Sequence, residues 1–312
     1  MELSVVTTMY YSQPYLKEFY NRTLDAIRRI GVTDYEMLFV NDGSPDDSAS
    51  VILQFHKENP RVKLIDLSRN FGHHNAIMAG LRAAKGDWVF LIDCDLEEDP
   101  ELLVEFWKYR SDAANADVDV IYGIQEKRKG NFFERISGQL FYDFLDLFLD
   151  VKYPSNTLTA RIMRSRYVQS VTTYPEKSLE IWGIFLLAGY KQLGVTTTKK
   201  YKGSTTYTLS KKLKMAIETI TSLSNKPLYI IFYIGMITFI ISTLYILYVI
   251  IHSFYADMST AMGWSSIIAS IWMVGGLIIL LLGIISIYLS KIFVEVKNRP
   301  LYIIKKTTDE IN

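Results

Sequence analysis

"WVFLIDCDLEEDPELL", residues 88 to 103, joins an uncharged apolar run to a dense group of carboxylates. The apolar part has the length and the residue types of a buried strand. Asp93 and Asp95 stand at its end with Cys94 between them, and four more acidic residues follow up to Glu101. The stretch therefore predicts a buried strand that ends in an acidic edge.

Similar apolar runs alternate with helical patterns from residue 1 to residue 123. The runs with the features of buried strands are "LSVVTT" (3 to 8), "MLFV" (37 to 40), "VKLIDL" (62 to 67), "WVFLID" (88 to 93) and "VDVIYG" (118 to 123). Strands that alternate with helices predict an α/β fold with a doubly wound, mostly parallel sheet, similar to a Rossmann fold. Ligands of such a sheet bind beyond the carboxyl ends of its strands.

The acidic strand end is a candidate metal site. Side chains alternate along a strand, so Asp93 and Asp95 are predicted to share one side while Cys94 faces the opposite layer. Two neighbouring carboxylates repel each other unless a cation lies between them. Mg²⁺ or Mn²⁺ takes one or two carboxylates together with phosphate oxygens of a substrate, and Glu97 is a candidate third ligand. An Asp-x-Asp pattern is also common in solvated loops, and the position after a buried strand favours the metal site.

Other kinds of site find less support in the sequence. Asp99 and Glu101 are expected to be favourable charges at the start of the next helix, and Glu98 receives no role. There is no G-x-G, so the dinucleotide fingerprint and the kinase glycine loop are absent. His73 and His74 diverge on a helix, which disfavours zinc and favours a helix start close to a substrate phosphate.

The C-terminal part of the chain predicts a membrane anchor. Residues 227 to 256 and residues 258 to 290 contain no Asp, Glu, Lys or Arg, and about 20 apolar residues suffice to cross a bilayer. We expect two transmembrane helices in a hairpin, with a pair of buried core helices as the alternative. Lysines and arginines flank both outer ends, so the N-terminal domain and the C-terminus are expected in the cytoplasm. No signal peptide is evident, and one cysteine allows no internal disulfide.

Two segments before the hairpin have amphipathic patterns. Residues 131 to 149 and residues 209 to 223 carry apolar residues on one face and charged residues on the other. Both are predicted to lie as helices in the membrane interface. Packing against the sheet is the alternative for the first segment.

Four motifs in a fixed order resemble the family 2 glycosyltransferases with the GT-A fold. They are "SVVTTMY", "FVNDGSPDDS", "LSRNFGHHNAIMAGLRAAKGD" and "VFLIDCDLEEDPELL", followed by the apolar hairpin. More narrowly, the chain resembles the polyprenyl-phosphate hexose synthases, relatives of dolichyl-phosphate mannose synthase and of the O-antigen bactoprenol glucosyltransferases. The resemblance implies an inverting enzyme that uses Mg²⁺ or Mn²⁺. Its expected reaction moves a hexose or N-acetylhexosamine from a nucleotide-diphosphate sugar, expected to be a UDP-sugar, to polyprenyl (undecaprenyl) phosphate at the cytoplasmic membrane face.

The resemblance also implies roles for individual residues. Asp93 and Asp95 would hold the catalytic metal, with Glu97 as the candidate third ligand. The residues expected to bind the donor are Thr8, Tyr10, Asn41, Asp42 and Asn70. The basic residues expected to hold the acceptor phosphate are Arg128, which is also expected to be catalytic, Arg135 and Arg161. Ordinary surface charge is the alternative for all three. Glu176 and Glu180 are candidate sugar or acceptor contacts.

Several residues depart from the family pattern and leave the donor's base and sugar open. Asn41 and Thr159 stand where the family commonly has Asp, and Glu97 stands where it has Gln. Two alternative functions follow. A processive polysaccharide synthase would share the fold, but the sequence lacks its Gln-x-x-Arg-Trp motif, the nearest match being "QEKRK" at 125 to 129. A non-catalytic membrane scaffold with a degenerate transferase domain is the other.

The predicted organisation has four parts. Residues 1 to 125 form the nucleotide-sugar-binding half of the GT-A domain, and residues 126 to 226 form the acceptor-side half with the amphipathic helices. Residues 227 to 290 form the transmembrane hairpin, and residues 291 to 312 form a cytoplasmic tail. The expected partners are the nucleotide sugar, the polyprenyl phosphate lipid and the inner membrane, with no nucleic acid, and a homotetramer is one expected assembly. The sequence leaves open the sugar, the nucleotide, the polyprenol, the metal, the oligomeric state and the pathway.

Overall fold

The computed structural model describes residues 1–125, 148, 156–177, 180–197, 209–253 and 264–310. The chain divides into two compact units. The first, called the sheet unit below, comprises Met1–Asp143, Val151–Thr208 and Arg299–Asn312. The second, called the helical unit, comprises Phe144–Asp150 and Leu209–Asn298.

The sheet unit contains an eight-stranded sheet in the order β7-β5-β6-β4-β1-β2-β3-β8. In chain order the strands are β1 (Leu3–Met9), β2 (Tyr35–Asn41), β3 (Val62–Leu67), β4 (Trp88–Leu91), β5 (Val120–Gln125), β6 (Thr157–Arg164), β7 (Gln192–Thr197) and β8 (Ile304–Thr307). The pairs β1–β2, β1–β4, β2–β3 and β5–β7 are parallel, whereas β4–β6, β5–β6 and β3–β8 are antiparallel. The α/β prediction is confirmed, and the sheet is mixed.

Helices cover both faces of this sheet. They are α1 (Gln13–Arg29), α2 (Ser48–Glu58), α3 (His73–Ala83), α4 (Leu102–Ser111), α5 (Ser165–Thr172) and α6 (Ile181–Leu187). Alternation along β1 sends Val5 into the cluster that includes Phe19 of α1 and Phe106 of α4. Val6 enters the opposite cluster with Ile77 of α3 and Tyr167 of α5. The continuous apolar runs thus become central strands because both of their faces are buried.

The segment predicted as a cytoplasmic tail, residues 291 to 312, contributes the last strand of the sheet. Strand β8 pairs antiparallel with β3 and forms one edge of the sheet. The Ser68 N–H donates to the Ile303 carbonyl at 2.9 Å, and the Leu64 N–H donates to Thr308 Oγ1 at 3.3 Å. The tail pairs because β3 would otherwise present a row of unpaired backbone groups.

The helical unit contains α7 (Leu209–Leu223), α8 (Lys226–Ser253) and α9 (Trp264–Lys297). Among the described residues, one helical stretch is long and apolar enough to cross a membrane, Met273–Lys297, with a mean hydropathy of 2.5. Lys226–Thr238 forms a shorter apolar stretch. One candidate span is therefore found, and the second predicted span stays a prediction.

Residues 209 to 223 form a helix, as their amphipathic pattern predicts. Of its described side chains, Ala216 and Ile220 are buried, whereas Ile217 is exposed. Tyr288 on α9 donates its hydroxyl to the Ser224 carbonyl at 2.8 Å, which ties α9 to the junction of α7 and α8. The other predicted amphipathic segment, residues 131 to 149, lies outside the described residues apart from residue 148.

Candidate active site

The carboxyl ends of three neighbouring parallel strands, β4, β1 and β2, meet at one edge of the sheet. Thr8 is the second-last residue of β1, Asn41 is the last residue of β2 and Asp42 follows it, and Asp93 lies two residues beyond the end of β4. Parallel register explains why residues so far apart in sequence come to the same edge. We call this edge the acidic edge.

Asp93 has two defined neighbours at the acidic edge. The Thr159 hydroxyl donates a hydrogen bond to Asp93 Oδ2 at 2.8 Å. His73 Nε2 lies 3.6 Å from Asp93 Oδ1, and the Asp93 side chain is 30% exposed. One carboxylate oxygen is therefore fixed by a hydroxyl, and the other lies beside an imidazole.

His73 connects Asp93 to the end of β1. Its Nδ1 lies 3.2 Å from Thr8 Oγ1, so the imidazole stands between Thr8 and Asp93. His73 is the first residue of α3, and Gly72 precedes it with φ of 95°. A helix N-terminus carries partial positive charge, which favours an anion at this edge. The two histidines had been expected at a helix start, and α3 begins there.

The strand argument for Asp93 and Asp95 needs a correction. Strand β4 ends at Leu91, so both aspartates lie in the turn that follows, where strand alternation does not apply. Leu96 has φ of 62°, and the Glu97 N–H donates to Asp95 Oδ1 at 3.0 Å. The turn over residues 93 to 101, called the acidic turn below, therefore holds the two carboxylates at the acidic edge in place of the predicted extended strand.

Cys94 faces inward, as predicted, although a turn sets its direction. The side chain is buried, and its thiol donates to the Thr8 carbonyl at 3.1 Å. Burial raises the pKa of the Cys94 thiol to about 12. Cys94 is therefore a packing residue that fastens the acidic turn to β1.

The donor chemistry of the edge fits a hard divalent cation. Asp93 and Asp95 supply carboxylate oxygens and are both partly exposed. Within the described part of the chain, no group of three His, Cys, Asp or Glu side chains is placed to hold a metal, and the role of Glu97 as a third ligand stays a prediction. Mg²⁺ and Mn²⁺ need no such cage when substrate phosphates and water fill the remaining positions.

Asn41 and Asp42 are buried and hold neighbouring loops. The Asn41 amide donates to Asp66 Oδ1 at 2.7 Å and accepts the Ser44 N–H at 3.1 Å. Asp42 accepts the N–H groups of residues 71 and 72, one on each carboxylate oxygen, at 2.7 and 3.0 Å. Burial raises the pKa of Asp42, and these two N–H groups act in the opposite direction. Both side chains shape the loops of the acidic edge, and their predicted contacts with a nucleoside stay a prediction.

Tyr10 and Asn70 lie on the loops beside this edge. Tyr10 is 48% exposed, and its ring packs edge-on against the ring of Tyr11 with centroids 4.8 Å apart. Asn70 is exposed, and its backbone lies close to Gly43, where a Cβ would come within 2.5 Å of the Asn70 nitrogen. A glycine at position 43 thus brings the two loops together.

Arg161 lies inside the sheet unit. It stands opposite Leu91 in the β4–β6 pair and is 3% exposed. Its guanidinium donates to the carbonyls of residues 158 and 159 and lies 4.7 Å from the ring centroid of Trp182 and 4.2 Å from that of Phe185. The side chain is packed and hydrogen bonded, and its predicted role toward the acceptor phosphate stays a prediction. Arg128 and Arg135 lie outside the described residues.

The structure adds residues that the sequence did not single out for this edge. Thr159 bonds Asp93 across 66 positions of sequence, a separation at which local patterns carry no signal. Glu180 Oε2 lies 4.0 Å from His74 Nδ1, and Trp182 packs against the His74 ring. Glu180 was named in the sequence as a candidate sugar or acceptor contact, and its place beside His74 is new.

Comparisons with known proteins give a consistent picture. Residues 4–172 match the glycosyl transferase family 2 profile. A Mycobacterium tuberculosis protein named as a glycosyltransferase is 43% identical over 306 residues, which cover 98% of this chain and 88% of that protein. The SfII prophage-derived bactoprenol glucosyl transferase of Shigella flexneri is 30% identical over 98% of both chains. Among solved structures, mannosyl-3-phosphoglycerate synthase from Rubrobacter xylanophilus has a TM-score of 0.50 at 14% identity, covering 70% of this chain and 72% of that one. The likeness to that structure is one of fold.

Proposed function

This chain belongs to glycosyltransferase family 2, and from that premise we propose that it moves one sugar from a nucleotide-diphosphate donor to a polyprenyl phosphate lipid. The bactoprenol glucosyl transferase relative supports a lipid acceptor, because its alignment runs through the helical unit as well as the sheet unit. We propose a UDP-hexose or UDP-N-acetylhexosamine as donor and undecaprenyl phosphate as acceptor.

One observation carries the proposal. The same chain contains an acidic edge at the carboxyl ends of parallel strands and a helix, Met273–Lys297, that is apolar enough to span a bilayer. Soluble nucleotide sugars bind at such strand ends. A polyprenyl lipid is confined to the membrane, so an enzyme that acts on it gains from being anchored there. The alternative function, a processive synthase that makes a long polymer, would need more membrane helices than the one candidate span found among the described residues.

Asp93 and Asp95 would hold Mg²⁺ or Mn²⁺ in this reaction. The cation, when bound, would stabilise the negative charge of the departing nucleoside diphosphate as a Lewis acid. Thr159 fixes one oxygen of Asp93, and His73 lies beside the other. The same proposal includes donor contacts by residues at the strand ends and loops of this edge: Thr8, Tyr10, Asn41, Asp42 and Asn70.

The acceptor needs little activation. A phosphate monoester has a second pKa near ~6, so at neutral pH its oxygen already carries the charge needed for attack. The bond from this oxygen to the anomeric carbon forms as the bond to the diphosphate oxygen breaks, and direct displacement inverts that carbon. The protein must then hold the lipid phosphate and shield it from water. Arg128, Arg135 and Arg161 are the proposed cations for this step.

A donor screen tests the proposed reaction. The full chain in native membranes or detergent is given undecaprenyl phosphate and Mn²⁺ with radiolabelled UDP-glucose, UDP-N-acetylglucosamine, UDP-galactose or GDP-mannose. We expect one donor to yield a chloroform-soluble product that carries a single sugar. A long insoluble polymer would support a processive synthase instead. No product from any donor, under conditions in which a bactoprenol glucosyltransferase is active, would support the scaffold alternative.

We also propose two membrane spans with the sheet unit and the C-terminus in the cytoplasm. The excess of lysine and arginine outside the apolar stretches supports this orientation. Because Cys94 is buried, it should react little with a membrane-impermeant thiol reagent. Labelling of an Asp257→Cys or Lys305→Cys variant therefore reports the introduced cysteine. In intact cells we expect Asp257→Cys to be labelled and Lys305→Cys to be protected. Labelling of both or of neither would contradict the hairpin.

A further inference from the structure

Glu98 is the acidic residue for which the sequence indicated no role. Its side chain is buried, and its two carboxylate oxygens accept the N–H groups of Thr159 and Ala160 at 3.0 and 2.7 Å. A buried carboxylate that accepts two backbone N–H groups is held in one orientation, because loss of either bond would leave a buried polar group unsatisfied.

These two N–H groups belong to an irregular part of β6. A regular strand directs successive N–H groups to opposite sides, so one carboxylate receives both only where the strand is distorted. The register between β5 and β6 shifts between Tyr122 and Ile124, and β4 ends opposite Arg161. Glu98 therefore fills the place where β6 passes beyond the end of β4.

The same residue of β6 also holds Asp93. Thr159 is 8% exposed, and its hydroxyl donates to Asp93 Oδ2 at 2.8 Å. Two hydrogen bonds thus join the acidic turn to Thr159. The Thr159 backbone N–H donates to Glu98, and the Thr159 hydroxyl donates to Asp93. The contacts of Thr159 with Glu98 and Asp93 fix the orientation of the Asp93 carboxylate. Its second oxygen, Oδ1, then lies 3.6 Å from His73 Nε2.

We propose that Glu98 and Thr159 act together as positioning residues that orient the Asp93 carboxylate for the divalent cation of the transfer reaction. This inference rests on the proposed metal site of Asp93 and Asp95. Residues that hydrogen-bond a ligating carboxylate set its orientation, and their loss commonly weakens metal affinity about 10- to 100-fold. Neither residue needs to touch the substrate for this effect.

Mn²⁺ binding tests the inference without reference to turnover. The full chain in detergent is titrated with Mn²⁺ in the presence of UDP, and free Mn²⁺ is followed by electron paramagnetic resonance. We expect Thr159→Val, which removes the hydroxyl and keeps the shape, to weaken Mn²⁺ binding about tenfold or more. Thr159→Ser restores the hydroxyl and should recover most of the affinity. Thr33→Val is the matched control, because Thr33 is an exposed loop residue ahead of β2, at the opposite end of the sheet.

Glu98→Gln tests the other half of the pair. The glutamine amide places an NH₂ group where one carboxylate oxygen of Glu98 accepts a backbone N–H from Thr159 or Ala160, so that hydrogen bond is lost. We therefore expect weaker Mn²⁺ binding and a lower melting temperature. If this variant does not fold, the comparison of Thr159→Val with Thr159→Ser decides the question by itself. Equal Mn²⁺ affinity in Thr159→Val and the wild type would overturn the inference while leaving the metal site standing. Unchanged Mn²⁺ affinity in Asp93→Ala would overturn the metal site, and the inference with it.

Discussion

Arg22 on α1 binds both carboxylate oxygens of Glu101, with Nε 2.9 Å from Oε1 and Nη2 2.5 Å from Oε2. The same Nη2 donates to Asp99 Oδ1 at 2.5 Å. The sequence had suggested that Asp99 and Glu101 only favour the start of α4, whereas the structure shows that they fasten the end of the acidic turn to α1. The turn that begins at Asp93 is thus anchored at both ends, by Thr159 and by Arg22.

Replacing Arg22 should loosen this anchor and change the response to acid. The Arg22 guanidinium lowers the pKa of Glu101 below its ordinary value. A carboxyl group with a lowered folded-state pKa adds stability that is fully present above its unfolded pKa and is lost as the pH falls through the folded pKa. We expect Arg22→Met to cost about 1 kcal/mol of unfolding free energy at pH 7 and less near pH 3.

Thermal unfolding from pH 3 to pH 7 measures this difference. Lys191→Met is the matched control, because Lys191 and Asp117 form an exposed pair on which little stability should depend. A constant difference between Arg22→Met and the wild type at every pH would mean that the loss comes from packing and not from the ion pair.

Removing the charge of either aspartate of the acidic turn should strongly reduce transfer without unfolding the chain. Asp93→Asn and Asp95→Asn keep the side-chain shape and remove the charge that a divalent cation requires, so we expect losses of about 10²-fold or more in kcat/KM. The measurement is sugar transfer at saturating Mn²⁺ with the donor found in the screen. Asp117→Asn removes an exposed acidic charge near β5 and should leave transfer unchanged. Full activity in Asp95→Asn would restrict the metal site to Asp93.

The central strands were predictable because their signal is local. Each of β1 to β4 contains a short run of apolar residues, and in this fold such runs are buried on both faces. Strand β6 was not predicted, because "TLTARIMR" carries two arginines whose burial depends on aromatic partners elsewhere in the chain. Strand β8, "IKKT", has two lysines and becomes a strand only because β3 offers an open edge.

The candidate site was predictable in its position and not in its contacts. Asp93 could be placed at a strand end from "WVFLID" alone, since parallel strands bring their carboxyl ends together. Its bond to Thr159 and the two bonds of Glu98 to β6 depend on tertiary packing over more than 60 residues. Strand β4 ends two residues earlier than predicted. The prediction was longer because the apolar Ile92 extends the sequence pattern beyond the last ladder pair at Leu91.

The pairing of the tail with β3 should contribute to the stability of the sheet unit. Thr308 is buried, and its hydroxyl accepts the Leu64 N–H at 3.3 Å. Thr308→Val leaves that buried N–H without this acceptor, which should cost about 1–2 kcal/mol of unfolding free energy. Thr308→Ser keeps the hydroxyl and should lose clearly less. Urea unfolding of both variants provides the measurement, and equal losses would show that the methyl group, not the hydroxyl, carries the contribution.

Cys94 should be inert to thiol reagents while the acidic turn is folded. The thiolate is the reactive species, and burial raises the pKa of this thiol to about 12, so very little thiolate exists at pH 8. The side chain is also 2% exposed, which blocks the approach of a reagent. We expect a thiol-specific reagent to modify Cys94 only in denaturant, and Arg22→Met to raise the native rate because it releases the end of the turn. The rate of Cys94 modification in the native wild type is the baseline. Lys191→Met is the control variant, in which this rate should stay the same. Rapid labelling of the native wild type would contradict the inward direction of Cys94 and, with it, the attachment of the turn to β1 through the Thr8 carbonyl.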